Sequence, residues 1–364
     1  MRYLLLQNYL RETSYRIVSF LFLTIFFRDR NSGNPAEKAK PDNENIMIFA
    51  ATDINIQNAA KKIASGGLVA FPTETVYGLG ADAMNPIASA KIFEVKNRPF
   101  FDPLIVHIPD MVWVGRLAVD IHERAAELMK TFWPGPLTIV VKKNGTVPDI
   151  LTAGMDTVAL RMPSHPVALA LLRYAGTPIA APSANPFGYL SPTTAGHVEA
   201  QLGGSIDMIL DGGPCAVGIE STIIRVDASA VTLLRAGGTP VEAIESVVGK
   251  VIIADNAPAP QAPGQLPYHY SPRTPVKIIE DIREAVLPDS GLLSLYRPED
   301  VKKFRAAEVL SEKGDLAEAA ARFFGCLHNL DAAGCDVIYA VKLPEQGLGR
   351  AIMERLRKAA AKPI

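Results

Sequence analysis

Cysteine is scarce in this 364-residue chain: Cys215, Cys326 and Cys335 complete the set. Three scattered thiols make no disulfide framework, and without a CxxC pair they make no zinc site. Each reads as a small buried apolar residue in a reducing, cytoplasmic setting. Nucleotide fingerprints are missing as well. There is no GxxxxGKS/T and no GxGxxG, so neither a P-loop nor a Rossmann dinucleotide site is written locally. No GxSxG elbow occurs, and the six histidines are dispersed, which leaves a Ser-His-Asp triad unsupported. No charge sign prevails: 37 basic residues face 38 acidic ones, a net of −1. Broad binding to nucleic acid needs a basic surface, so only a local basic pocket remains open. Long apolar runs are absent too. Ile17 to Phe27 spans eleven residues, whereas a membrane-spanning helix needs ~20.

What is present is apolar enough, at 48%, to bury real cores, and the length suits two or three domains. Residues 1–46 differ from the rest. Arginines flank Ile17–Phe27, Arg28-Asp29-Arg30 stands where a signal peptide wants small residues, and a polar stretch follows. Three readings stay open: a misassigned start with Met47 the true one, a membrane-surface or targeting segment, or a packed helix. From Met47 the pattern is that of an ordinary domain.

Over residues 47–250 strands and helices are mixed. Helices are expected at Ile54–Ser65, from Asn85-Pro86 to before Pro99, at Glu123–Phe132, Pro166–Tyr174 and Pro240–Val248, and from the cap-plus-proline pair Ser191-Pro192. Strands are expected at Leu68–Phe71, Leu137–Val141, Thr157–Leu160, Pro178–Ala181, Met208–Leu210, Thr222–Val226 and Val231–Leu234. Residues 251–275 carry six prolines and read as a semi-rigid linker. Its Tyr268-His269-Tyr270 either folds back over a site or rests on a domain surface. In residues 276–364, strands at Val276–Ile279, Gly291–Tyr296 and Asp336–Lys342 alternate with helices at Leu316–Leu330 and Leu348–Ala360. That alternation predicts a smaller parallel α/β domain.

Six short stretches could carry chemistry, and most have a bland alternative. Phe71-Pro72-Thr73-Glu74-Thr75-Val76-Tyr77-Gly78-Leu79-Gly80 opens a buried strand into hydroxyls at its carboxyl end, where α/β sheets hold ligands. Lys96-Asn97-Arg98 offers two cations suited to phosphate, or merely complements a helix dipole. Pro182-Ser183-Ala184-Asn185-Pro186 fixes a hydroxyl and an amide between prolines, or is only a turn. Gly212-Gly213 with Gly218-Ile219-Glu220-Ser221-Thr222 lets backbone approach a ligand, or simply turns. Thr157–Pro163 holds Arg161, and Pro103–Ile108 holds His107, which among apolar neighbours reads as a core histidine.

Taken in this order, the stretches resemble the YrdC-like threonylcarbamoyl-adenylate synthases, in their long form with an extra carboxyl-terminal domain. Pro263-Gly264, His269-Tyr270-Ser271-Pro272 and Gly347-Leu348-Gly349-Arg350-Ala351-Ile352 extend the likeness to the linker and last domain. The resemblance implies an α/β fold: a YrdC-like twisted mixed sheet with flanking helices, plus a smaller Rossmann-like parallel domain. It implies that L-threonine, bicarbonate and ATP are joined into an adenylate with release of pyrophosphate. Mg²⁺ accompanies the ATP. Downstream tRNA threonylcarbamoyl-transfer proteins then pass the group to an adenosine of tRNA, with weak tRNA contact and no membrane. Carried over by motif, Thr75, His107, Arg161, Ala181 and Ser221 surround threonine. Arg98, Asp102, Thr157, Ser183, Asn185, Ser191, Arg235 and Tyr270 surround ATP, and Lys96 with Arg98 is catalytic. Asp102 departs from the neutral residue of the pattern; a carboxylate there repels triphosphate unless it meets Mg²⁺ or points away. Ala236 stands for a proline, and Pro267-Tyr268 for an aromatic and a basic residue.

The chemistry agrees with the residues. A threonine carbamate oxygen attacks the α-phosphorus, which needs alignment and positive charge more than a nucleophilic side chain. On that ground Glu74 serves structure or metal rather than acting as a base. Two other readings compete. A double-stranded-RNA or tRNA-binding module would show a steep salt slope without ATP turnover. A hydrogenase-maturing carbamoyltransferase embeds a similar domain but adds cysteine-rich zinc fingers, which this chain lacks.

Overall fold

A computed structural model of the chain describes residues 48–254, 261–266 and 269–361. The expectations for residues 1–46, for Met47 and for Pro267-Tyr268 lie outside these residues. Among the described residues, strands gather into two sheets. The larger runs Ile48–Ala50 (β1), Met208–Asp211 (β8), Val69–Phe71 (β2), Gly78–Asp82 (β3), Ile179–Ala180 (β7), Ile105–His107 (β4), Thr157–Arg161 (β6), Leu137–Lys142 (β5), Thr222–Val226 (β9), Val231–Arg235 (β10) and Ile252–Ile253 (β11). It is mixed: β4 and β6 are parallel, as are β5 and β9, whereas β2/β3, β3/β7, β5/β6 and β9/β10 are antiparallel. The smaller sheet, Val276–Ile279 (β12), Ile338–Val341 (β15), Gly291–Ser294 (β13) and Ala306–Val309 (β14), is parallel throughout.

Local chemistry explains most elements. Every residue of β2 is buried, as a continuous apolar run requires when both sheet faces are covered. The helices Asp53–Ala64 and Pro166–Ala175 cover one face with Ile56, Ile63, Leu171 and Leu172, packed against Val69, Phe71, Ile179 and Met208. Truncating one such leucine to alanine would cost about 2–5 kcal/mol. The helix Pro86–Lys96 starts where the Asn85 side chain accepts from the amides of Ile87 and Ala88. It stops at Asn97, which is left-handed at φ 51°.

One expected helix start is corrected. Ser191-Pro192 opens no helix; the next one is Ala195–Leu202, capped by Thr194. Ser191 is drawn away because its hydroxyl binds Glu220 rather than a helix amide. The linker also differs from a bare spacer, since Ile252–Ile253 adds a strand beside β10. All three cysteines are free and buried. No helix among the described residues is long and apolar enough to cross a membrane.

The second domain packs tightly on the first. Gly218 (φ 73°) lies against the backbone of the helix Leu316–Ala332, so close that an added Cβ would sit 2.4 Å from the Ala320 carbonyl. Asp331 of that helix accepts from the Tyr189 hydroxyl and, at 2.7 Å, from the Thr274 amide.

Candidate active site

Carboxyl ends of several strands meet at one pocket. Its lining includes Thr75 beyond β2, His107 at the end of β4, Arg161 at the end of β6, Ala181 beyond β7, and Ser221 before β9. His107 and Arg161 lie side by side because β4 and β6 pair in that register. The loop after β2 is held by its own hydroxyls. Thr73 Oγ1 donates to the Val76 carbonyl at 2.7 Å and stands 2.8 Å from Thr75 Oγ1. Thr73's proton is thereby used, so Thr75 donates to Thr73 and keeps its lone pairs for a ligand.

Two buried carboxylates aim arginines. Glu74 Oε1 accepts from Arg161 Nη2 at 2.8 Å, and its other oxygen accepts from the Ser164 amide at 3.1 Å. Glu74 is thus engaged in holding Arg161 and the Ser164 amide. Asp102 is fully buried with Oδ2 2.9 Å from Arg98 Nη2. It turns toward Arg98 and does not line the pocket. Burial pushes its carboxyl up against the pull of Arg98. Arg98 Nε and Nη2 also donate to the carbonyls of Asp102 and Pro103, at 3.1 and 2.7 Å.

Lys96 is not a helix-end surface cation. It is buried, and its ammonium donates to the carbonyls of Ser183, at 2.6 Å, and Asn185. Burial, reinforced by Arg98, drives its pKa well below the usual lysine value. Asn185 in turn donates to the Pro186 and Tyr189 carbonyls. Lys96, Asn185 and Ser191 thus stand behind the pocket wall, whereas Ser183 and Arg98 line it.

His107 has no partner at Nδ1. Burial, helped by Arg161, pushes its pKa down to about 3, so the imidazole is neutral at physiological pH. Arg235 closes the opposite wall. Its Nη2 donates to the Ser221 carbonyl at 2.8 Å and hydroxyl at 3.2 Å, and Nη1 to the Pro263 carbonyl at 3.2 Å. Ser221 Oγ also lies 2.7 Å from Thr138 Oγ1.

The linker covers this wall, which settles its two open readings in favour of folding back. Pro263, Gly264, His269 and Tyr270 line the pocket. Tyr270 is 1% exposed, left-handed at φ 61°, and its hydroxyl has no partner. With the linker in place the cavity measures about 40 Å³.

Thr157 begins β6, opposite Lys142, four residues back from Arg161, and does not line the closed cavity. At about 3.3 Å per residue that is roughly 13 Å away along the strand. Motif reading passed over Glu220, which lines the pocket, and Thr138, which backs Ser221 from behind it. Glu220 was legible only as part of a glycine-bearing loop, and Thr138 as an interior strand position.

The Sua5/YciO/YrdC family model, described as telomere recombination, matches residues 61–237. A second model, the threonylcarbamoyl-AMP synthase C-terminal domain, matches residues 239–361. The threonylcarbamoyl-AMP synthase of Pyrococcus abyssi is 43% identical over 318 residues, covering 84% of this chain and 94% of that one. The chain belongs to the threonylcarbamoyl-AMP synthase family. The Bacillus subtilis threonylcarbamoyl-AMP synthase is 41% identical over 327 residues, covering 86% and 94%. The crystal structure of Pyrococcus abyssi Sua5 complexed with L-threonine superposes with a TM-score of 0.81 at 40% identity, covering 86% of this chain and 97% of that one. Its match spans both sheets, so the mixed sheet and the parallel domain are common to this long-form synthase.

Proposed function

We propose that the pocket joins L-threonine, bicarbonate or carbon dioxide, and ATP into threonylcarbamoyl-adenylate and releases pyrophosphate, the first step of N6-threonylcarbamoyladenosine formation in tRNA. One observation carries this reading: three arginines and several hydroxyls converge on a pocket without an activated nucleophile. Cys215, the nearest thiol to Glu74 and Arg161, is itself held protonated by burial. Such a pocket aligns and neutralises rather than forming a covalent intermediate.

The threonine end is the side of Arg161, His107 and Thr75. Arg161, aimed by Glu74, takes the amino-acid carboxylate through its planar fork. Thr75 accepts from the amine, and the neutral His107 meets the threonine hydroxyl through its unpartnered Nδ1. Ala181 keeps that corner small. The nucleotide end is the side of Arg98, Ser183 and Arg235; Ser221, carried over as a threonine-binding residue, accepts from Arg235 where the two ends meet. The threonine nitrogen bonds carbon dioxide and gives up a proton, a carbamate oxygen bonds the α-phosphorus, and the bond to the bridging oxygen of pyrophosphate breaks. Arg98 and Arg235 face the negative charge that builds on pyrophosphate. Lys96 holds the Ser183–Asn185 loop from behind.

Mg²⁺ arrives with ATP. Among the described residues no group of three or more His, Cys, Asp or Glu side chains could hold a metal ion. The Glu220 carboxylate is occupied by Arg355 and Ser191. The phosphate oxygens would supply most of its ligands, and the ion would lower their negative charge.

A cavity of about 40 Å³ holds a water or two, whereas ligand pockets run to about 300–1,000 Å³. Substrates enter when His269 and Tyr270 lift, and reclosure shields a hydrolysable carbamate from water. The product passes to cytoplasmic proteins that transfer the group to tRNA. The test is incubation with ATP, Mg²⁺, labelled threonine and bicarbonate, then chromatography. Labelled adenylate and threonine-dependent pyrophosphate are expected; sound protein that yields neither sinks the reading.

A further inference from the structure

Arg355 is the largest fully buried side chain among the described residues, and it comes from the carboxyl-terminal domain. It sits on the helix Leu348–Ala360, whose inward face also carries Ala351, Ile352, Leu356 and Ala359. Its Nε donates to Glu220 Oε2 at 2.7 Å, across the domain boundary. Its Nη1 donates to the Ala236 carbonyl at 2.7 Å and the Ala351 carbonyl at 3.0 Å. The guanidinium lies 5.2 Å from the centre of the Tyr270 ring, where a cation is attracted to the ring face. The other oxygen of Glu220 takes the Ser191 hydroxyl. Burial pushes the Glu220 carboxyl up, but Arg355 and Arg235 outweigh it and hold it ionised.

The consequence falls on Arg235. The pocket is lined by three arginines, and Arg98 and Arg161 are each neutralised, by Asp102 and Glu74. Among the described residues Arg235 hydrogen-bonds only neutral groups, the Ser221 carbonyl and hydroxyl and the Pro263 carbonyl, and Glu220 acts on it through space alone. Glu220, next to Ser221 and lining the same pocket, is the carboxylate that would neutralise it. Arg355 and Ser191 occupy that carboxylate instead.

We propose that Arg355 is a positioning residue for adenylate formation: it takes up the Glu220 carboxylate, so that Arg235, with no carboxylate bonded to it, presents its charge to the nucleotide phosphates. The proposal rests on the adenylation reading above. It gives the carboxyl-terminal domain a part in the electrostatics of the site. Without Arg355, Glu220 turns to Arg235, which cancels the cation and places a carboxylate near the triphosphate. Arg355 also backs the ring of Tyr270, which ties the linker's closed position to the same residue.

The test compares Arg355→Met, Arg355→Lys and the double variant Arg355→Met with Glu220→Gln. Calorimetry measures L-threonine alone and a non-hydrolysable ATP analogue, and turnover gives KM for ATP. Arg355→Met should weaken the analogue and raise the ATP KM by about tenfold or more. L-Threonine should bind within about threefold of wild type, because Arg161, held by Glu74 and Gly135, is not bonded to Arg355 or Glu220. Removing the freed carboxylate in the double variant should recover most of the nucleotide affinity, and Arg355→Lys should retain part of it. A residue that only glues the domains would lose both ligands in parallel, with no recovery in the double variant; that result overturns the proposal. So does wild-type nucleotide binding in Arg355→Met. If Arg355→Met does not fold, the double variant decides, and a double variant that also fails to fold assigns the pair to stability alone. The reading beneath stands or falls separately. Wild-type protein that makes no adenylate fails the synthase assignment, while the binding comparison still tests the placement of charge.

Discussion

Acidification from pH 7 to 5 should strip several kcal/mol from the stability of this protein, because it buries histidines in neutral form. Burial and Arg161 hold His107 down to about 3. Burial and the neighbouring His197 hold His328 down to about 4. His269 is depressed in the same sense by burial and by Arg98. In the unfolded chain each returns to its ordinary value of 6.5. The folded values lie below the unfolded ones, so between them the unfolded chain binds more protons. Stability is therefore complete above the unfolded value and is lost as pH falls toward the folded values. From pH 7 to 5 the loss is about 2 kcal/mol for each of His107 and His328, roughly 4 kcal/mol together. His269 adds to it. Asp102, raised by burial, works the other way at lower pH. Against a total stability of about 5–15 kcal/mol the loss is large. Urea unfolding followed by circular dichroism at about pH 7, 6 and 5 should show the midpoint falling by on the order of 1 M or more. His328→Gln should remove about 2 kcal/mol of that fall. A midpoint that does not move, or a slope unchanged by His328→Gln, would refute the account of neutral burial.

Gly218→Ala should destabilise by about 2–4 kcal/mol, since the new Cβ meets helix backbone at a left-handed position; a melting temperature equal to wild type would contradict this. Lys96→Met should cut turnover by about a hundredfold while circular dichroism stays native, because the Ser183–Asn185 loop loses its tether. Arg98→Ala should fall comparably, and wild-type turnover in both would show that neither cation contributes to the reaction. Glu74→Gln should weaken L-threonine binding by about threefold to tenfold in calorimetry by loosening Arg161; unchanged affinity would detach Glu74 from that aim. Gly237→Ala should abolish turnover. Its Cβ would fall 2.3 Å from the Glu220 carbonyl and 2.4 Å from the Ser221 carbon, and full activity would show that the loop yields freely.

The sequence by itself determined the elements whose causes are local. The cap of Asn85 on Pro86–Lys96, the apolar run of β2 and the amphipathic helix Leu348–Ala360 were legible because capping, burial pattern and chain stiffness act within a few residues. Hydroxyls at the end of β2 and the cations Lys96 and Arg98 were legible for the same reason, and the resemblance joined them into one site. Tertiary structure decided which charges meet. Local rules made Ser191-Pro192 a helix start, but Glu220 claimed the hydroxyl. They could not tell that Asp102 answers Arg98, or that Thr157 and Arg161 stand at opposite ends of β6. Arg355 left only a faint mark, a cation four places after Ala351 on a buried face. Its partner Glu220 lies 135 residues away. An ion pair depends on distance in space and on the water excluded around it, and both are set only when the two domains close.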